Sequence, residues 1–364
     1  MSVFTFLTLQ ILLIIAVALK CTAVPLGETL IKRSTLSGAA VVIGAGTYPR
    51  ANKLSDGSIL GVYTAFLGGN NVITTVKSSD NGASWQSLGT VTSGASNAND
   101  IDNPYVLQLP SGRVLCAFRN HSKNPNTGAY TYFRITVTSS DDKGKTWAYL
   151  STPASDVGPV HGNWEPFLRL ASDGSLQIYY SRENSAEDQD SMERFSNDGG
   201  KTWSSAQTIS GTSITARDGM IGVASISGPK LMAVFESEST GIFNVMSITS
   251  ADDGPSKKTW TNRRTVYASI GTGNSAGAPQ IINVGGSLVV SFQTSEDSNL
   301  GKTGAYTSHT AAKVVSSSDG GNTWGNKLTV SAEQSAWPGL LDLDKSSFLT
   351  LVDHEGAKSQ KVAL

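Results

Sequence analysis

Apolar residues in this chain come in short runs broken by glycine and small polar residues, and three of the runs share one layout. In YPRANKLSDGSIL (48–60), NPYVLQLPSGRVL (103–115) and EPFLRLASDGSLQ (165–177), a Gly stands eight residues after a Pro, with apolar stretches on both sides. Each segment reads as a hairpin of two apolar strands joined by a short Gly-containing turn. Weaker versions begin at Gly219-Met220, Ala278-Pro279 and Trp337-Pro338. The starts recur roughly every 60 residues, a spacing that fits a repeated four-stranded unit. Amphipathic helical patterns of useful length are hard to find, and the pattern as a whole predicts an all-β chain.

A second repeat interleaves with the first. SSDNGASW (78–85) recurs as SDDKGKTW (140–147), SNDGGKTW (196–203) and SSDGGNTW (317–324), and SADDGPSKKTW (250–260) is a damaged copy with three extra residues. The shared pattern, Ser-x-Asp-x-Gly-x-Ser/Thr-Trp, suits a self-contained turn. The Asp carboxylate can accept backbone N–H bonds, Gly supplies a positive φ, and the Trp packs under its neighbour. The octet closely resembles the Asp box of sialidase-like β-propellers, which closes the turn between the third and fourth strands of a blade and has a structural role. Six hairpin starts and five such turns predict a single six-bladed β-propeller over residues 34–364. The last unit holds only three strands, GLLDLD, FLTLVDH and SQKVAL, and AAVVIG (39–44) is available as its fourth. Closing the ring with this N-terminal strand removes free sheet edges.

Composition adds the setting. Phe4 to Leu19 is an apolar run followed by small residues at Cys21 and Ala23, which reads as a signal peptide over residues 1–23. A membrane anchor is the competing reading, and the run is short for a span. Lys32-Arg33 looks like a processing site ending a propeptide over 24–33, or an exposed basic pair without consequence. The expected mature protein is secreted, with no membrane partner once the leader is cleaved. Cys116 is then its one cysteine, so no intrachain disulfide is expected, and the residue reads as a small buried hydrophobe. Asn120-His121-Ser122 is a glycosylation sequon. A net charge of −1, with no basic cluster beyond Arg263-Arg264, argues against a nucleic-acid partner.

Blade topology sorts the candidate chemistry by face. The start of each first strand and the end of each second strand share one face, opposite the Asp-box turns. The first set contains Tyr48, Asn103, Glu165, Gly219 (after Asp218), Ala278 and Trp337; the second contains Thr64, Arg119, Ser181, Glu236, Gln293 and Asp353. Glu165 and Glu236 thus come from neighbouring blades, three and four, and both point to the central mouth. Two carboxyl groups facing one pocket are the minimum equipment for glycoside hydrolysis, one as acid and one as nucleophile or base. Each could instead satisfy backbone or Arg groups at the rim. Tyr48 and Trp337 could stack on a sugar ring or pack in the core, and Trp164 could be pocket wall or inter-blade packing. Arg50, Asn103, Arg182, Asp218, Asp353 and His354 sit near the same mouth, where they could bind hydroxyl groups, pair internally or face solvent. With four His and no HExxH, CxxC, GxGxxG or Walker-type spacing, no metal or cofactor is expected.

A sialidase needs three arginines around its substrate carboxylate, and no Arg follows Arg264. NWEPFLR (163–169), ARDGM (216–220) and LMAVFE (231–236), set between Asp boxes, resemble another group, the secreted fungal exo-1,5-α-L-arabinanases of glycoside hydrolase family 93. That resemblance implies a six-bladed propeller that releases arabinobiose from the non-reducing end of linear, neutral arabinan with retention of configuration. It makes Glu165 and Glu236 the catalytic pair, with Glu165 as acid/base and Glu236 as nucleophile, or the reverse. A lectin-like propeller that binds sugar without chemistry is the non-enzymatic alternative, and a sialidase the other enzymatic one. A monomer is the default.

Overall fold

The hairpin pattern in the sequence becomes the inner half of each blade. The protein, described here from a computed structural model that covers residues 33–254, 258–298 and 309–364, is all-β among those residues. Its strands form six four-stranded antiparallel sheets, five of them in plain sequence order. Blades one to five span 47–95, 99–157, 163–210, 218–267 and 276–331. The sixth runs from Ser335–Asp344 through Ser347–His354 to Ala357–Ala363, and its outer strand is Thr35–Gly44 from the N-terminus. The ring is therefore a six-bladed propeller closed by the N-terminal strand, which extends the expected 39–44 back to Thr35. The expected signal peptide lies outside the described residues, as does all of the propeptide segment except Arg33.

Burial explains which strands the sequence advertises. The second strand of blade four, Lys230–Ser237, is buried on both faces, with Leu231, Ala233, Val234 and Phe235 all at 0% exposure. A strand covered on both sides reads as a continuous apolar run. Fourth strands such as Gly325–Ser331 face solvent on one side and carry almost no apolar signal. The core is six wedges, one at each blade junction. Val62, Ile73, Val114 and Phe118 fill the wedge between blades one and two, and Ile221, Phe235, Tyr179 and Phe167 that between four and three. Burying each such side chain contributes about 1.5–3 kcal/mol, so no disulfide is needed to hold the ring. Cys116 is buried in the first of these wedges, and burial pushes its thiol well above the usual range.

The four intact octets sit between third and fourth strands and share one hydrogen-bond set. In each, the Ser hydroxyl accepts the N–H of the closing Gly at 2.8 Å. The Asp carboxylate takes the Ser or Thr hydroxyl at 2.6 Å. Gly is required twice over at position 144: its φ is 91°, and a Cβ there would lie 2.8 Å from Leu60 of blade one. Trp85 passes beneath its neighbour to bond Ser359 of blade six at 3.0 Å.

The damaged fourth copy does something else. Asp253 leaves the turn to pair with Arg169 of blade three, with Oδ2 2.9 Å from Nη2, and Lys258 reaches Glu193 at 2.7 Å with both side chains fully buried. The lost turn is replaced by two ion pairs that tie blade four to blade three.

Candidate active site at the hub

Each first strand enters the hub through the same local kink. Tyr48, Asn103, Glu165, Met220, Ala278 and Trp337, one per blade, all have φ between 43° and 55°. Each sits where the pairing of first and second strands breaks register, as between Trp164 and Phe167 in blade three. A bulge with one left-handed residue re-aims that residue, here toward the axis. In five blades a Pro follows and fixes the next φ. In blade four Ile221 stands in its place, and the hub residue is Met220 rather than the expected Gly219. Non-Gly residues in this conformation are strained, and all six positions bear the strain in the same place.

Side chains at the ends of second strands hold these kinks. Ser181 Oγ accepts the Met220 N–H at 3.0 Å, Glu236 Oε2 accepts the Ala278 N–H at 2.6 Å, and Gln293 Oε1 accepts the Trp337 N–H at 2.8 Å. Each bond crosses from one blade to the next. Glu236 therefore stands where its neighbours use neutral acceptors, and it brings a carboxylate to that position.

The hub has an apolar side and a polar side. Tyr48, Met220, Ala278 and Trp337 cluster together, with the Tyr48 and Trp337 rings 6.0 Å apart. Asn103 and Glu165 fill the other side, and each keeps one buried oxygen, Asn103 Oδ1 and Glu165 Oε2, without a protein partner. Burial of the Glu165 carboxyl, and next the charge on Glu236, raise its pKa to about 8, against the opposing pull of Arg119, Ser181 and Arg217. At neutral pH Glu165 carries a proton. The structure thus brings Glu165 and Glu236 within electrostatic reach at one mouth.

Other expected site residues take different places. Arg50 is 3% exposed; its Nη1 bonds the carbonyls of Pro49 and Trp337, and its guanidinium lies 4.0 Å over the Tyr48 ring. Asp218 is fully buried with both oxygens on Arg263, which makes it a structural pair rather than a group facing the mouth. Trp164 turns away from Glu165 into the wedge between blades two and three, against His121 at 4.8 Å and Phe133 at 6.0 Å. Arg182 pairs with Asp156 at 3.2 Å near the rim, and Asp353 accepts the Gly356 N–H at 3.3 Å within its own turn. His354 Nδ1 lies 3.1 Å from the Ser335 hydroxyl. Of the sequon, Asn120 is inside a strand with its amide on Thr136.

Several residues of this neighbourhood carry no motif in the sequence. Arg119, expected to close the second strand of blade two, lies inside it, since the strand runs Val114–Lys123; it lies 5.1 Å over Trp164 and is held by Asp100 and Asp102. His121 is buried with Nε2 2.7 Å from the Asn163 carbonyl, and burial pushes its pKa down to about 3, so it stays neutral. The strand-end column contained Arg119 and Ser181, and only that register could have flagged them.

A family model described as a BNR repeat-like domain matches residues 56–217. No curated protein sequence matches the chain. Among solved structures, a GH93 α-L-arabinofuranosidase of Fusarium graminearum in complex with arabinobiose is 21% identical, covering 90% of this chain and 97% of that one at a TM-score of 0.69. An α-L-arabinanase of Penicillium chrysogenum complexed with arabinobiose is 18% identical over 90% and 98%, with a TM-score of 0.70. A Hadza microbial sialidase is 16% identical over 87% of this chain and 65% of its own, with a TM-score of 0.59. At these identities the likeness is one of fold.

Proposed function

We propose that the protein is a secreted glycoside hydrolase acting on a neutral arabinan, with Glu165 and Glu236 as its catalytic pair. The observation that carries this reading is the pairing itself. Two carboxyl groups from adjacent blades meet at the hub in different surroundings: burial raises Glu165 to about 8, while Glu236 accepts a backbone N–H at 2.6 Å. A bond from a backbone donor favours the charged form of an acceptor. Glu165 is then the acid that protonates the leaving oxygen, and Glu236 the nucleophile that attacks the anomeric carbon. Water completes the cycle with Glu165 acting as base.

Tyr48, expected as a stacking face, is instead 3% exposed with Arg50 over its ring, so the partly buried Trp337 beside it offers the face for a sugar ring, and the orphaned oxygens of Asn103 and Glu165 offer partners for its hydroxyl groups. Two solved structures of this fold hold arabinobiose, and this supports a sugar ligand for the mouth. We extend the reading to exo-action on linear α-1,5-arabinan, release of arabinobiose and retention, which requires carboxyl groups about 5–5.5 Å apart.

Time-resolved proton NMR of the purified protein with linear 1,5-arabinan tests this proposal. Arabinobiose should accumulate from the start, first as the α anomer. Binding of arabino-oligosaccharides without any product would reduce the protein to a sugar-binding propeller, and release of sialic acid from sialyl conjugates would make it a sialidase.

A further inference from the structure

We infer that Asp100 and Asp102 are specificity-determining residues that set the charge selectivity of the hub mouth: by both bonding Arg119 through Nη2, they compete for it with any sugar bearing a carboxylate. The inference rests on the mouth being a sugar site, but not on hydrolysis. Arg119 Nη2 lies 2.9 Å from Asp100 Oδ1 and 3.1 Å from Asp102 Oδ2, and the three side chains are only 15%, 12% and 18% exposed. Both acids are fixed from behind. Tyr130 donates its hydroxyl to Asp100 at 2.6 Å, and Asp102 Oδ1 takes the Thr64 hydroxyl and the Asn103 N–H, each at 2.7 Å. Against the cost of burial, Arg119 and the Tyr130 bond hold the Asp100 carboxyl below its ordinary value, so it stays charged.

Two carboxylates meet one guanidinium here, with the Lys123 ammonium, 5.4 Å over the Tyr130 ring, as a second cation acting on Asp100. An incoming carboxylate would have to displace a buried, hydrogen-bonded acid, and like charges meeting in a partly buried site repel. The other guanidinium groups around the hub offer no alternative. Arg217 bonds Glu183 at 2.7 Å and Gln189 at 2.6 Å, Arg263 bonds both oxygens of Asp218, and Arg182 pairs with Asp156. Arg50 bonds two backbone carbonyls through Nη1, and its Nη2, which has no protein partner, is closed to solvent. A neutral sugar meets none of these penalties, since its hydroxyl groups can bond to Asp102 or Arg119 without breaking the pair.

The test is calorimetric titration with two probes of similar size, methyl glucuronoside and methyl α-L-arabinofuranoside, on the wild type and on Asp100→Asn/Asp102→Asn. Asn keeps an oxygen for the Thr64, Asn103 and Tyr130 bonds while removing the competing charge. The wild type should prefer the neutral probe. The double variant should gain about tenfold or more in glucuronoside affinity, and salt at about 0.5 M should erode the gain. Equal binding of the two probes by the wild type would overturn the inference, as would a folded double variant with no gain. If the double variant does not fold, Asp102→Asn alone is read in the same way. Because the anionic probe reports the availability of Arg119 directly, a protein that fails to cleave arabinan can still pass or fail this test.

Discussion

Glu236 Oε2 accepts the backbone N–H of Ala278 at 2.6 Å, and this one bond gives the side chain two jobs. It latches blade four to the strained kink of blade five, as Ser181 and Gln293 do for the kinks of blades four and six at 3.0 and 2.8 Å. It also stabilises a carboxylate beside Glu165.

The two jobs separate by substitution. Glu236→Gln keeps an acceptor for Ala278, so its melting temperature should stay within a few degrees of the wild type. Its turnover of linear arabinan should fall on the order of a thousandfold or more. Glu236→Ala should lose both activity and several degrees of thermal stability. Kinetics and thermal melts on the two variants check this.

Glu165 makes activity and stability depend on pH in the same direction. An acid with its pKa at about 8 works in the protonated form, so kcat/KM should fall as pH rises through about 8. Its folded-state pKa lies above the ordinary carboxylate value. The stabilisation of the protonated form is therefore complete below that ordinary value and is lost as pH climbs toward 8. Glu165→Gln should remove this slope from the unfolding free energy measured across the same range. An identical slope in both proteins would place the titration elsewhere.

The buried Lys258–Glu193 pair, 2.7 Å apart with both side chains at 0% exposure, joins blades three and four where the fourth Asp box is broken. Lys258→Met leaves a buried carboxylate unpaired and should cost about 3–5 kcal/mol in denaturant unfolding. The double variant Lys258→Met/Glu193→Leu should recover most of that loss. A double variant no more stable than the single one would mean that the pair contributes through packing alone.

Within the turns, Asp198 accepts the N–H groups of Lys201 and Thr202 and the hydroxyls of Thr202 and Ser196. The Thr202 hydroxyl leads in holding its carboxyl down to about 2. The Asp252 carboxyl, in the broken copy, accepts only the Gly254 N–H among the described residues. Asp198→Ala should therefore lower the melting temperature by more than Asp252→Ala does, and neither should alter kcat on arabinan, because both lie on the face opposite the hub. Scanning calorimetry ranks the two.

The ring and its register were legible because they are written in backbone chemistry. Pro after the hub residue, Gly in the turn and Asp in the octet each answer a local φ or N–H requirement, so they recur with the blade. Where blade four carries Ile221 in place of Pro, the signal vanished and the hub position slipped from Met220 to Gly219. The meeting of Glu165 and Glu236 was legible for a related reason: one stands near the start of a first strand and the other near the end of the next blade's second strand, and those two positions share a face. What strand counting cannot give is the path of a long side chain after it leaves the strand. Arg50 folds back onto Tyr48, and Asp218 turns inward to Arg263, because buried charges seek partners that lie far away in sequence. The clamp of Asp100 and Asp102 on Arg119 was invisible on the same grounds.

Acid-quenching the protein during turnover of an aryl α-L-arabinofuranoside, then mapping peptides by mass spectrometry, tests the central claim most directly. A retaining site of this geometry should yield a pentosyl ester on the peptide containing Glu236, at the Glu236 carboxyl itself. A pentosyl adduct mapped to any other side chain would contradict the account.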